Sequence, residues 1–300
     1  MVNPLHSSRW YVIGKKVTGA AHQQQGKRCQ DSYNIYNNEI TVVAVADGHG
    51  SPKSPSSDVG ADLAAISAVK VCRDFYSKVK ELSLGLTAVK RYAEEELPKL
   101  IVKEWVQRVE EHHLKKGMPR DDMKPLEGGS LLIEYGSTLL VSLISPEYIL
   151  FMQLGDGDIL MVDGEGQVQQ PIQRDERLLG NETTSLCSPQ AWKEMQTAFM
   201  TFQERFPRLI LLSTDGYSNS YKSREDFIKV ARDYDQLARE HGVKLIESNL
   251  SKWLEQVSAE GSGDDITVCL AFENDQSAPL TEVVPDEHQR PTGSDSTTTV

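Results

Sequence analysis

Four aspartates with glycine beside them carry the chemistry open to this sequence: Asp47 in Asp47-Gly48-His49-Gly50, Asp156 in Gly155-Asp156-Gly157, Asp215 in Asp215-Gly216, and Asp264 in Gly263-Asp264. Asp47 and Asp215 follow apolar runs, residues 40–46 and 209–212, that read as buried strands. Asp156 falls in a strand connection, and Asp264 comes just before the apolar run 266–272. A carboxylate at a strand end is held by a rigid element yet open to solvent, where a hard cation takes oxygen donors. Gly48 has no side chain to block approach to a backbone carbonyl. Asp-Gly is also a common turn dipeptide, so each position alone is either a ligand or a turn. Repetition of one setting is what argues for more than turns. Acids gathered at one edge repel unless protonated or bound to cations. Oxygen ligands without paired His or Cys point to magnesium or manganese rather than zinc or copper. Two such ions roughly 3.5–4 Å apart lower the pKa of a shared water and clamp a phosphate for in-line attack. The competing reading is four unrelated turns.

The elements that must position these acids follow from periodicity. Residues 10–18 read as a strand, and 32–36 pairs with 40–46 through the turn pair Asn37-Asn38. Val59, Leu63, Ile66, Val69, Cys72, Tyr76 and Val79 recur at helical spacing, with Ser57 or Asp58 as cap. A second helical region spans 86–114, where Pro98 starts or kinks the later half. Residues 117–129 read as a loop. Runs at 135–145, 148–154, 159–163 and 168–171 then predict an antiparallel meander. Residues 175–206 are irregular apart from a short amphipathic piece at 192–202, either a lid beside a site or a surface excursion. Helices at 224–240 and 243–257, divided by Gly242, precede the last strand at 266–272. The division expected is one catalytic domain over 1–273 and a disordered tail over 274–300, which lacks periodicity and ends in Ser and Thr.

Composition narrows the function classes. The 300 residues are 39% hydrophobic and 25% charged, enough for a sizeable core, with a formal net charge of −12. Binding nucleic acid needs clustered Lys and Arg, and no such run occurs. No signal-like N-terminus and no run of membrane-spanning length is seen. Cys29, Cys72, Cys187 and Cys269 are too scattered for a zinc site or a disulfide framework, so they read as reduced thiols in a cytoplasmic protein.

In order along the chain, Asp47-Gly48-His49-Gly50, Gly136-Ser137-Thr138-Leu139-Leu140, Leu154-Gly155-Asp156-Gly157, Ser213-Thr214-Asp215-Gly216 and Gly263-Asp264-Asp265-Ile266-Thr267 are similar to the motif set of the metal-dependent protein serine/threonine phosphatases of the 2C type. The likeness covers about residues 12–273. It implies an α+β fold, a four-layer α-β-β-α sandwich with two antiparallel sheets flanked by helices. The site it implies holds two Mn²⁺ or Mg²⁺ ions and a weaker third. By position, Asp47 resembles the carboxylate bridging both ions, Gly48 the backbone-carbonyl ligand, and Asp215 and Asp264 the ligands that complete the first site. Asp156 resembles a third-ion ligand shared with Asp215. His49 sits where the family has a histidine proposed as general acid, a task suited to an imidazole; it is also open to reading as a turn residue. Thr138 resembles a supporting residue behind the ligands.

One motif departs from the family. Where an arginine precedes an acidic pair, this chain has Gly26, and the pair itself reads Gln30-Asp31. Asp31 remains as a metal-side carboxylate, and the form His22 with Cys29-Gln30-Asp31 resembles a bacterial branch. The substrate phosphate falls to His22 or Arg28, unless either is only a solvated loop residue. The expected partners are a phosphorylated protein and a cognate Ser/Thr kinase, with no nucleic acid or membrane, and a monomeric state. The expected reaction is hydrolysis of phosphoserine and phosphothreonine; the alternative is a phosphatase-like binding or sensing module without turnover.

Overall fold

The computed structural model describes residues 9–116, 130–173, 184–202 and 206–274. The loop expected at 117–129 and, apart from Asn274, the tail expected at 274–300 lie outside the described residues. The chain forms two compact units, each built from segments distant in sequence.

One unit takes residues 30–157 and 172–201. Its sheet holds β2 (Ser32–Asn37), β3 (Thr41–Ala46), β4 (Leu139–Ile144), β5 (Tyr148–Leu154) and β8 (Gln196–Thr201), in the order β2-β3-β4-β5-β8. Every pairing is antiparallel. Helix α2 (Ser57–Glu81) begins the helical side of this unit. Its Ala61, Ala64, Ala65 and Ala68 are buried in one cluster with Val42, Ala44 and Ala46 of β3. Small residues there let helix and sheet approach closely. Beyond α3 (Leu86–Glu95), α4 (Leu97–Lys115) carries Pro98 in its first turn, where no N–H is missed. The Trp105 Nε1–H of α4 donates to the Gly60 carbonyl of α2 at 3.0 Å. A short helix, α5 (Ser130–Glu134), leads into β4.

The other unit takes the described residues of 9–29, 158–171 and 202–274. Its antiparallel sheet has the order β1-β10-β9-β6-β7, with β1 (Trp10–Val17), β6 (Asp158–Val162), β7 (Val168–Gln169), β9 (Leu209–Ser213) and β10 (Ile266–Glu273). Helices α8 (Arg224–His241) and α9 (Val243–Glu260) pack Phe227, Tyr234, Ile246 and Leu250 into one cluster with Ile13, Leu160, Leu211 and Leu270 of the sheet. Two antiparallel sheets flanked by helices is the fold class expected. Three short helices, α1 (Ala20–Gln24), α6 (Ala191–Glu194) and α7 (Asp215–Ser218), complete the order.

One expectation is corrected. The meander stops at Gly155-Asp156-Gly157: β5 pairs with β4 and β8, whereas β6 pairs with β9 and β7 in the other sheet. The amphipathic piece at 192–202 consists of the end of α6, a single turn, and of β8, an edge strand on β5. Among the described residues, no helix is long and apolar enough to cross a membrane. All four cysteines are free, and burial pushes the thiols of Cys72 and Cys269 far up.

Candidate functional site

Asp47 follows the last residue of β3 and is half-buried. Its N–H donates to Thr138 Oγ1 at 3.1 Å, and the Thr138 N–H donates to the Asp47 carbonyl at 2.8 Å. This reciprocal pair extends the β3–β4 contact by one residue, so the carboxylate leaves a fixed backbone. Next to it, Gly48 bridges Ser137 and donates its N–H to the Gln30 carbonyl at 3.2 Å. The need for glycine here is packing: a Cβ on Gly48 would lie 2.5 Å from the Ser57 carbonyl oxygen and 2.8 Å from that of Gln30.

His49 continues the turn, its N–H donating to the Gly136 carbonyl at 3.1 Å. Burial holds its imidazole below the ordinary histidine value, and the nearby Asp156 carboxylate partly offsets this. Asp156 sits on a loop that Gln153 secures, its Nε2 donating to the carbonyls of Gly155 at 3.2 Å and Gly157 at 2.9 Å. Gly155 has φ +104°, a conformation that favours glycine. Asp31, one residue before β2, is buried. Its neighbour Gln30 lays Oε1 against Gly50, which has φ +60°; a Cβ there would meet that oxygen at 2.4 Å. Gln30 therefore braces the Asp47 turn. Asp47, His49 and Asp156 thus belong to one unit.

The other unit gathers Asp215, Asp264, Asp265 and His22. Asp215 opens α7 directly after β9 and Thr214, and its Oδ2 accepts from Asn219 Nδ2 at 2.9 Å. Gly216 lets the Asp264 loop close in: a Cβ there would lie 2.1 Å from the Asp265 carbonyl oxygen and 3.2 Å from Asp264 Cβ. Ser262 Oγ donates to the Gly216 carbonyl at 2.9 Å. Two acids far apart in sequence are brought together by backbone contact. Asp264 is exposed, while Asp265 is buried and accepts from the Gly19 N–H at 2.6 Å.

His22, on α1, lies over this pair. Its Nδ1 is 3.0 Å and its Nε2 is 4.0 Å from the Oδ1 atoms of Asp265 and Asp264 respectively. Donor atoms of His22, Asp264 and Asp265 all lie within 4.8 Å of one another, a spacing that suits a cation. Arg28 is exposed. Asp265 was not singled out as a site residue from sequence, and its only signal is its place beside Asp264.

A model of the family described as "Protein phosphatase 2C" matches residues 18–255. The chain belongs to the protein phosphatase 2C family. Membership classes it as a protein serine/threonine phosphatase. The match stops short of Asp264, whose placement beside Asp215 comes from the geometry above. No curated protein matches the sequence.

Solved structures agree in fold. Serine/threonine phosphatase Stp1 from Staphylococcus aureus is 15% identical with a TM-score of 0.54, over 91% of this chain and 96% of that one. Serine/threonine phosphatase PstP/Ppp from Mycobacterium tuberculosis is 14% identical with a TM-score of 0.54, over 88% and 98%. PppA from Pseudomonas aeruginosa is 16% identical with a TM-score of 0.53, over 89% and 98%.

Proposed function

We propose that this phosphatase 2C family member hydrolyses phosphoserine and phosphothreonine in proteins with the aid of Mn²⁺ or Mg²⁺, two ions and a third. The donors fit such ions: they are carboxylates and a backbone carbonyl on turns and loops beside strand ends. On this reading Asp47, the Gly48 carbonyl, Asp215 and Asp264 would hold the two ions, Asp156 with Asp215 would hold the third, and Asp31 would add a further metal-side carboxylate. When bound, such ions supply a water of lowered pKa and neutralise phosphate charge. In the reaction, a P–O bond to the Ser or Thr oxygen breaks as water oxygen joins phosphorus. His49 gives the departing alkoxide its proton.

The observation that carries this reading is the packing of the Asp215 turn against the Asp264 loop, where a Cβ on Gly216 would lie 3.2 Å from Asp264 Cβ. Arg28, exposed and always charged, is the stronger candidate for the substrate phosphate. His22 faces carboxylates, which suits a cation better than an anion. The protein's setting on this reading is cytoplasmic and monomeric, opposite a Ser/Thr kinase on a shared phosphoprotein.

The test is manganese-dependent phosphate release from a phosphopeptide, wild type against Asp215→Asn. Release is expected from wild type, and the variant should lose on the order of 100-fold at fixed manganese. Absence of metal-stimulated release from the folded wild type would leave a phosphatase-like binding module instead.

A further inference from the structure

We infer that His22 Nε2 is a nitrogen ligand to the cation held by Asp264, with Asp265 as the carboxylate that orients the imidazole behind it. The inference rests on the metal-dependent reading for Asp264 and adds a donor type that the family's oxygen ligand set does not imply.

The argument begins with the two ring nitrogens. Each faces a carboxylate oxygen, Nδ1 that of Asp265 at 3.0 Å and Nε2 that of Asp264 at 4.0 Å. A neutral imidazole has one N–H, so it satisfies one carboxylate and presents a lone pair to the other. The Nε2 gap is too long for a hydrogen bond. A cation bonded at roughly 2.0–2.2 Å to both nitrogen and oxygen spans such a gap at a wide angle. Nδ1 is buried with Asp265 Oδ1 at 3.0 Å, within reach of an N–H···O bond once the ring turns toward it, which leaves the Nε2 lone pair for the cation. A carboxylate behind a histidine is the usual second partner of a metal-bound imidazole, fixing its tautomer.

The backbone holds the arrangement. The Ala21 N–H donates to the Gly263 carbonyl at 2.9 Å. Ala20 N–H donates to Ser258 Oγ at 3.0 Å, and that hydroxyl donates to the Asp264 carbonyl at 2.9 Å. Gly19 carries no Cβ because one would lie 2.3 Å from the Asp264 carbonyl carbon. Helix α1 is thus stitched to the acidic loop, and its imidazole is 17% exposed. A helix with no buried residue of its own is placed here by its contacts with that loop.

The experiment is pulsed EPR on the full-length protein loaded with Mn²⁺, reading electron spin-echo modulation from directly bound nitrogen. Modulation is expected in wild type, is expected to change on ¹⁵N-histidine labelling, and is expected to vanish in His22→Ala. Asp265→Asn should keep it while weakening Mn²⁺ affinity about 10-fold or more. Wild type that binds Mn²⁺ and releases phosphate without nitrogen modulation would overturn the inference and leave the phosphatase reading standing. Modulation that survives in His22→Ala would also overturn it. Failure of wild type to bind Mn²⁺ at all would overturn both.

Discussion

The imidazole of His49 rests on the bare Cα of Gly136: a Cβ there would lie 2.4 Å from Cδ2 and 3.3 Å from Nε2 of the ring. Cys187 Sγ lies 3.3 Å from the same point, so a methyl group there meets the sulfur as well as the ring. Gly136→Ala should push the ring out of place. With His49 as the proposed general acid, a displacement near 1 Å should cost on the order of 100-fold in rate. In the His49→Ala background the same substitution should cost less than about 3-fold, because groups acting as a unit are not additive. Turnover of the two single variants and the double variant on a phosphopeptide, with circular dichroism to establish folding, checks this. Equal losses in both backgrounds would give Gly136 a packing role alone.

Thr138 supports Asp47 through the hydroxyl that accepts the Asp47 N–H. Thr138→Val keeps the shape and removes the acceptor, leaving a half-buried N–H without it. The expected cost is about 1–3 kcal/mol of stability, with Mn²⁺ affinity reduced about 10-fold through looser placement of the carboxylate. Calorimetric Mn²⁺ titration and denaturant unfolding measure the two effects separately. Unchanged affinity with lowered stability would mean that the turn tolerates the loss.

The parts of this fold legible in sequence are those in which local pattern and tertiary environment agree. The stripe from Val59 to Val79 becomes α2, and the runs before Asp47 and Asp215 become β3 and β9. The break between β5 and β6 was not legible, because Gly155-Asp156-Gly157 has the chemistry of a hairpin turn and turn chemistry does not choose a strand's partner. Strand β8 was missed as well: Gln196–Thr201 is an edge strand, partly exposed along its length, without a clean alternation. Asp47, Asp156, Asp215 and Asp264 stand out in the sequence by the glycines beside them. The meeting of His22 with Asp265 leaves no local trace, since hydrogen bonds between α1 and a loop at the far end of the chain produce it.

Gln153 is the one side chain among the contacts above that holds both ends of the Asp156 loop. Its Nε2 reaches the carbonyls of Gly155 and Gly157, and its own residue is 7% exposed. Gln153→Leu would leave two carbonyls without that donor in a buried setting, at a cost of about 1–3 kcal/mol. It should also raise the Mn²⁺ concentration needed for full rate, since Asp156 would no longer be held in place. A metal-dependence curve for phosphate release that superimposes on wild type would show that Asp156 does not contribute to ion binding.

Asp235 offers a prediction about pH outside the site. It is 4% exposed, 2.7 Å from Arg208 Nη2 and 3.5 Å from Arg239 Nε. Burial nevertheless outweighs both guanidiniums and holds its carboxyl above the ordinary 3.8. A folded-state pKa above the unfolded one means that the unfolded chain releases this proton first as pH rises. The contribution of Asp235 to stability therefore falls between the unfolded and folded values and levels off above the folded one. Asn at this position does not titrate. The stability of Asp235→Asn minus that of wild type should accordingly increase as pH is raised from about 3.5 to about 6. Denaturant midpoints of the two proteins at half-unit pH steps measure this difference. A difference that decreases over that range would mean that the arginine pair, rather than burial, sets the ionisation of Asp235.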